Sequence, residues 1–287
     1  MAKKTTEPSK TKAVSTQTSD ADIARLLAEA AEMDGQNQAE IGGNRVPFIK
    51  CISKAEDPIL DKTSPDYIPK AQHKGFCVPE SKLNLGLDFF YTVMAIFSVY
   101  EEKVKPKGKA ANEIPPIVGY WMPEQARQVP IAEGSYFDRE FVANDGETHI
   151  LSPVFWVFGL IKDHEDMGLH NIVFRSSAAP NAKALQKILS STEGVTCQQV
   201  VKVSAERKDF PKFHNVTYRP IFEATDRMNF QLKGATIIPK EWTKAEVAEF
   251  VKMYHALQSD YSNSRLVASR DVQQSVAAIP ETTKTKF

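Results

Sequence analysis

The stretch Ile150-Leu151-Ser152-Pro153-Val154-Phe155-Trp156-Val157-Phe158-Gly159-Leu160-Ile161 decides the fold, together with the two runs after it. These are the polar Lys162-Asp163-His164-Glu165-Asp166-Met167-Gly168 and then Asn171-Ile172-Val173-Phe174-Arg175-Ser176-Ser177. The first run is apolar at both alternating positions, the pattern of a strand buried on two sides. The last alternates, with Ile172 and Phe174 on one face and Val173 and Arg175 on the other. A polar link ending in glycine suits a hairpin connection. The spacing therefore predicts a buried strand, a turn and a half-buried strand, with Arg175 where a solvent-facing side begins.

Upstream, residues 87–100 form the longest strand candidate. Leu87, Phe89, Tyr91, Val93, Ala95, Phe97 and Val99 fall at odd positions and read as one continuous apolar face. A strand of that length bends or coils, as in a small barrel. Residues 46–52, 76–79, 117–121, 136–142, 195–204 and 214–222 read as further extended pieces, with 206–212 as a connection. Downstream of Arg175, Pro180 opens a helix with Leu185, Ile188 and Leu189 as its buried stripe. Thr243-Lys244-Ala245-Glu246 is a capping box before Val247, Phe250, Val251, Tyr254 and Leu257 at helical spacing.

Residues 1–44 read as a flexible arm, with Ser19 or Asp20 capping a short helix through Met33 that carries Ile23, Leu26, Leu27 and Ala30. The expectation is a loosely docked arm. Residues 45–258 read as a single β-rich domain and 259–287 as a disordered tail, since both termini lack apolar residues to offset their ordering entropy.

Composition narrows the function classes. The chain has 287 residues, with 36 Lys+Arg against 36 Asp+Glu, so a basic face must be local if it exists. Cys51, Cys77 and Cys197 are too scattered for a zinc or disulfide framework, and a reducing compartment fits them. No secretory signal or membrane-spanning run is expected.

Residues 162–170 hold the one dense group of ligand-type side chains, Asp163, His164, Glu165, Asp166 and His170. It lacks the spacing of a calcium loop, and a solvated turn is the reading preferred over a metal-dependent enzyme built on Asp163, His164 and Asp166. No nucleophile elbow or phosphate loop is present, so no catalysis and no cofactor are expected. What recurs is rings beside cations: Tyr120-Trp121 before Arg127, Tyr136-Phe137 before Arg139, Phe174 before Arg175, and Tyr218 before Arg219. Single-strand binders use that mixture, because bases stack on rings while cations hold phosphates.

The order of motifs resembles a family of phage-encoded single-stranded DNA-binding proteins with an oligonucleotide/oligosaccharide-binding (OB) fold. The features are Val46-Pro47-Phe48-Ile49-Lys50, Tyr67-Ile68-Pro69 followed by Gly75-Phe76, and the long strand from Leu87. Trp156-Val157-Phe158-Gly159-Leu160-Ile161, Ile172-Val173-Phe174-Arg175-Ser176-Ser177 and the Lys183-bearing helix match best, within residues 46–223. The resemblance implies a β-rich α+β chain: an OB-like Greek-key barrel with extra strands, two helices and disordered tails. It also implies non-enzymatic binding of single-stranded DNA in replication or recombination, in the host cytoplasm if phage-encoded. Partner proteins would be reached through the tails, self-association is open, and no membrane is involved. The rival class is a virion or assembly protein making protein contacts only.

The residues expected to hold DNA are Tyr120, Trp121, Tyr136, Arg139, Arg175, Lys183, Lys187, Lys202, Tyr218 and Arg219. By strand parity, Arg139, Arg175, Lys202 and Arg219 are expected on one side of the sheet, with Lys183 and Lys187 extending it. Of the adjacent pair Tyr218 and Arg219, Tyr218 is expected in the core.

Overall fold

The computed structural model describes residues 18–34, 46–105, 115, 117–121, 123–135, 137–144, 146–175, 178–190, 195–210 and 215–262. In chain order the elements are α1 (Asp20–Asp34), β1 (Lys50–Cys51), β2 (Phe76–Val78), β3 (Leu83–Gly86), β4 (Asp88–Val104), β5 (Ile117–Trp121), α2 (Pro123–Ala126) and β6 (Arg139–Val142). They continue with β7 (Thr148–Ile161), β8 (His170–Arg175), α3 (Ala179–Ser190), β9 (Gln199–Phe210), β10 (Asn215–Met228), β11 (Phe230–Lys233), β12 (Thr236–Pro239) and α4 (Lys244–Ser262). The chain is β-rich α+β, and its paired strands are antiparallel.

The hairpin expected around residues 150–175 is present, with Trp156 opposite Val173 and Phe155 opposite Phe174. Residues Val154 to Ile161 are all buried, as their two-sided apolar pattern requires. The strands β10, β9, β4, β7 and β8 neighbour one another in that order, with α3 inserted between β8 and β9 in the chain. β5 pairs the far end of β4 and β6 the near end of β7, which makes a seven-stranded sheet.

That sheet is covered on both faces. On one, Ala95, Phe97, Val99, Val154, Trp156 and Phe158 pack under α1, α4 and the β11–β12 hairpin. On the other, Tyr91, Val93, Val157, Phe174 and Val201 pack under β1–β3 and α3.

The structure corrects four expectations. The odd positions of β4 do not form one face. A register shift between Val93 and Ala95 moves Ala95, Phe97 and Val99 to the α1/α4 side while Phe89, Tyr91 and Val93 stay on the α3 side. The arm helix is not loosely docked, since Ile23, Leu27 and Ala30 are buried against α4. Residues 206–210 continue β9 instead of connecting, because they pair with β10 in a long two-stranded ribbon. Finally, α4 runs to Ser262, past the expected start of the tail.

Both capping expectations hold. Ser19 Oγ accepts from the Asp22 N–H at 3.2 Å while Asp22 accepts from the Ser19 N–H at 3.3 Å. Thr243 and Glu246 reciprocate in the same way at the start of α4. Of the arm expected at 1–44 and the tail expected at 259–287, residues 1–17, 35–44 and 263–287 lie outside the described residues.

Candidate nucleic-acid interface

The bulge in β4 has a consequence for the surface. Beyond it Ser98 and Tyr100 turn to the α3 face, where they meet Pro153 and Phe155 of β7. The first turns of α3 bring Pro180 and Lys183 to one wall, and residues 127–139 bring Arg127, Phe137 and Arg139 to another. The result is a groove of about 570 Å³.

Local contacts hold the described residues of the second wall. Val129 and Phe141 pack with Trp121 and Leu151 in a small core of their own. Arg139 Nη1 donates to the Arg127 carbonyl at 3.0 Å and also to the Val129 carbonyl. Ser135 Oγ accepts from the Phe137 and Asp138 N–H groups at 3.2 and 2.9 Å, a turn that sends the Phe137 ring outward. Phe137 is 66% exposed, and Ile131 beside it 58%.

The charge balance favours an anion. Arg127 and Lys183 are exposed and, among the described residues, have no acid partner. Arg139 adds a half-buried cation, against the single carboxylate of Asp138. Three cations set beside the exposed Phe137 ring and the half-buried Tyr100 ring, over the buried Phe155, give a strand both phosphate partners and stacking surfaces.

The structure does not gather the expected site residues on one side. Register puts Arg175, Lys202 and Arg219 on the α1/α4 face, and each is held by an acid. Arg175 forks onto Glu101 at 2.8–3.0 Å, Lys202 meets Asp88 at 3.0 Å, and Arg219 meets Glu206 at 3.1 Å. Arg139 lies opposite Leu151 on the α3 face, so the one-sided expectation fails for it. Trp121 is 1% exposed with its indole N–H on Glu102 at 2.7 Å, which leaves no ring face for a base. Tyr120 is half-buried, edge-on to Trp156.

Tyr218 and Arg219 reverse their expected places: Arg219 is 9% exposed, while Tyr218 is half-buried at a cleft. Lys183 is in the groove and Lys187 is exposed one turn further along α3. Tyr136 lies outside the described residues.

Four groove residues were not among those expected. Arg127 and Phe137 stand in the ring-and-cation pairs of the sequence, so a signal for them existed. Tyr100 was hidden by the bulge, and Phe155 by a strand that reads as core on both faces.

The turn at 162–168 is also not simply solvated. Lys162 is 8% exposed, and its ammonium lies 2.9 Å from both Glu165 and Glu241 and 4.7 Å from the Trp242 ring centroid. It ties the hairpin turn to the segment before α4. Among the described residues no group of three or more His, Cys, Asp or Glu converges as a metal site. Burial pushes the Cys51 thiol up to about 12 and the Cys77 thiol to about 11, so neither is a ready nucleophile.

No family model matches the chain, and neither a curated protein nor a solved structure is found to resemble it. Among the described residues no helix is long and apolar enough to cross a membrane.

Proposed function

We propose that this chain is a non-enzymatic single-stranded DNA-binding protein of OB-like architecture, acting in phage-type replication or recombination in the host cytoplasm. The architecture is supported by four long antiparallel strands, β4, β7, β9 and β10, and the shorter β8, with α3 between β8 and β9 in chain order. One observation carries the function: Arg127 and Lys183, unengaged by acids among the described residues, share a groove with the exposed Phe137 ring. The footprint proposed is this groove, with Arg139 and Lys187 adding charge, rather than the opposite face where Arg175, Lys202 and Arg219 are neutralised.

The test is fluorescence anisotropy with single-stranded and duplex oligonucleotides at several salt concentrations. The expected result is preferential single-strand binding. Arg127→Ala should flatten the salt dependence by roughly 0.7–1 unit. Phe137→Ala should lose about 1–3 kcal/mol with the slope retained. Equal affinity of both variants and the wild type would remove this site. Absence of wild-type binding would favour the assembly-protein reading, for which Val142 and Ile117, exposed on the outer strands β6 and β5, are the supporting observation.

A further inference from the structure

We propose that a second cleft, centred on Tyr218, holds a further stretch of the same single strand; this rests on the strand-binding reading of the Phe137 groove. The cleft has a volume of about 500 Å³ and forms where the loops around residues 53–56 and 73 meet the start of β10. The His73 ring stands edge-on to the Tyr218 ring at 5.1 Å, and the Lys74 ammonium lies 5.3 Å from its centroid. Arg207 in the wall is paired with Asp209 at 2.9 Å, whereas Lys54 and Lys74 have no ion pair among the described residues. Glu56 is the acid in the lining. Rings with two ammonium groups that have no acid partner among the described residues suit a sugar-phosphate backbone and a base laid over it.

Lys74 reaches the cleft from a tight turn. Its φ is 73°, the left-handed region that a side-chain-bearing residue enters only with strain. The turn enforces it, with the Lys74 N–H donating to Ile52 O at 2.9 Å and the Gly75 N–H to Gln72 O at 3.0 Å. Glycine would occupy this position without strain; lysine here instead sets a cation over the Tyr218 ring. Lys70, Lys82 and Asp163 also have positive φ, and Lys74 is the one of the four whose cation lies over a ring of this cleft.

The two clefts are also neighbours along one path. Asn181 Nδ2 at the start of α3 donates to Pro220 O at 2.8 Å. The helix turn that walls the groove therefore touches β10 two residues from Tyr218, about 7 Å at strand rise. Pro220 and Tyr218 share the α3 face. This contact links the groove wall at Pro180 to the strand that carries Tyr218.

The experiment uses the full chain and oligo-dT of about four and about sixteen nucleotides, the ends of the range one OB-like domain covers. Phe137→Ala is expected to weaken both lengths. Tyr218→Ala and Lys74→Gly are expected to weaken only the long one, roughly tenfold, with the salt slope lower by about one unit for Lys74→Gly. Lys74→Gly is expected to raise or retain the melting temperature, because it relieves the backbone, so a loss of binding there is not a folding defect. Lys54→Gln gives a second reading of the same cleft without touching the turn. Unchanged long-oligonucleotide binding in both lysine variants would overturn the second contact while leaving the groove standing. Equal losses at both lengths would merge the cleft with the groove and also overturn it. If the wild type binds neither length, the groove reading falls and this inference with it.

Discussion

At the scale of single residues, the acid partner decides what a cation is for. Glu101 is fully buried, with Arg175 forked onto it and Lys103 at 2.9 Å. Removing Arg175 strips a buried carboxylate of its best donor, a loss of about 1–3 kcal/mol. Arg175→Ala is therefore expected to lower stability in urea unfolding and to leave oligonucleotide affinity unchanged. Weakened binding by the folded variant would return Arg175 to the interface. The sequence reading put this arginine on the correct side of its strand, but alternation says nothing about a glutamate 74 positions earlier.

His170 is 1% exposed, with Nδ1 donating to Gly168 O at 2.9 Å, and burial holds its pKa below the ordinary value. Because the folded value is the lower one, the unfolded chain binds the extra proton first. Stability is thus full above the unfolded pKa of about 6.5 and declines as pH falls towards the folded value. Unfolding measured between about pH 7 and pH 5 should show that decline, and His170→Asn should flatten it. An identical pH dependence in the two proteins would remove His170 from the account.

Among the elements, β4 and β7 show where pattern reading succeeds and where it stops. β7 was legible because burial on both faces leaves an uninterrupted apolar run. The face switch in β4 was not, since Met94 is itself apolar and alternation passes through the bulge unmarked. The physical cause lies on the partner strand. A Cβ at Gly159 would stand 2.2 Å from Thr92 O and 2.7 Å from the Tyr91 ring, and the Tyr91 hydroxyl reaches His170 O at 2.7 Å. Glycine lets the Tyr91 ring cross β7 at the bulge. Gly159→Ala is expected to destabilise by about 1–3 kcal/mol through overpacking against the β4 backbone. It should also weaken oligonucleotide binding, because the same bulge turns Tyr100 into the groove. Loss of stability with full binding by the folded fraction would separate the bulge from the groove.

In the molecule as a whole, the two faces of the sheet divide the work. Both faces close a core, but the α1/α4 face pairs Arg175, Lys202 and Arg219 with acids, while the α3 side leaves Phe137, Arg127 and Lys183 outward. The sequence offered the residues of α1 but not their destination, because a thin apolar stripe reads alike on a free arm and on a docked helix. The structure sets Leu27 at 1% exposure in the core that also holds Tyr254 and Phe250. Lys244 meets Asp20 at 2.6 Å along the same seam. Leu27→Ala should then destabilise the chain by about 2–5 kcal/mol, as a buried truncation does. On a loosely docked arm the same change would stay within about 0.5 kcal/mol. At about 2–4 °C per kcal/mol for a domain of this size, thermal unfolding resolves the two outcomes. Oligonucleotide affinity below the transition should not move, since Leu27 lies across the sheet from the groove. Phe137→Ala should do the reverse, with binding lost and the melting temperature kept. If both variants change both properties, the faces are coupled and the division of labour is wrong.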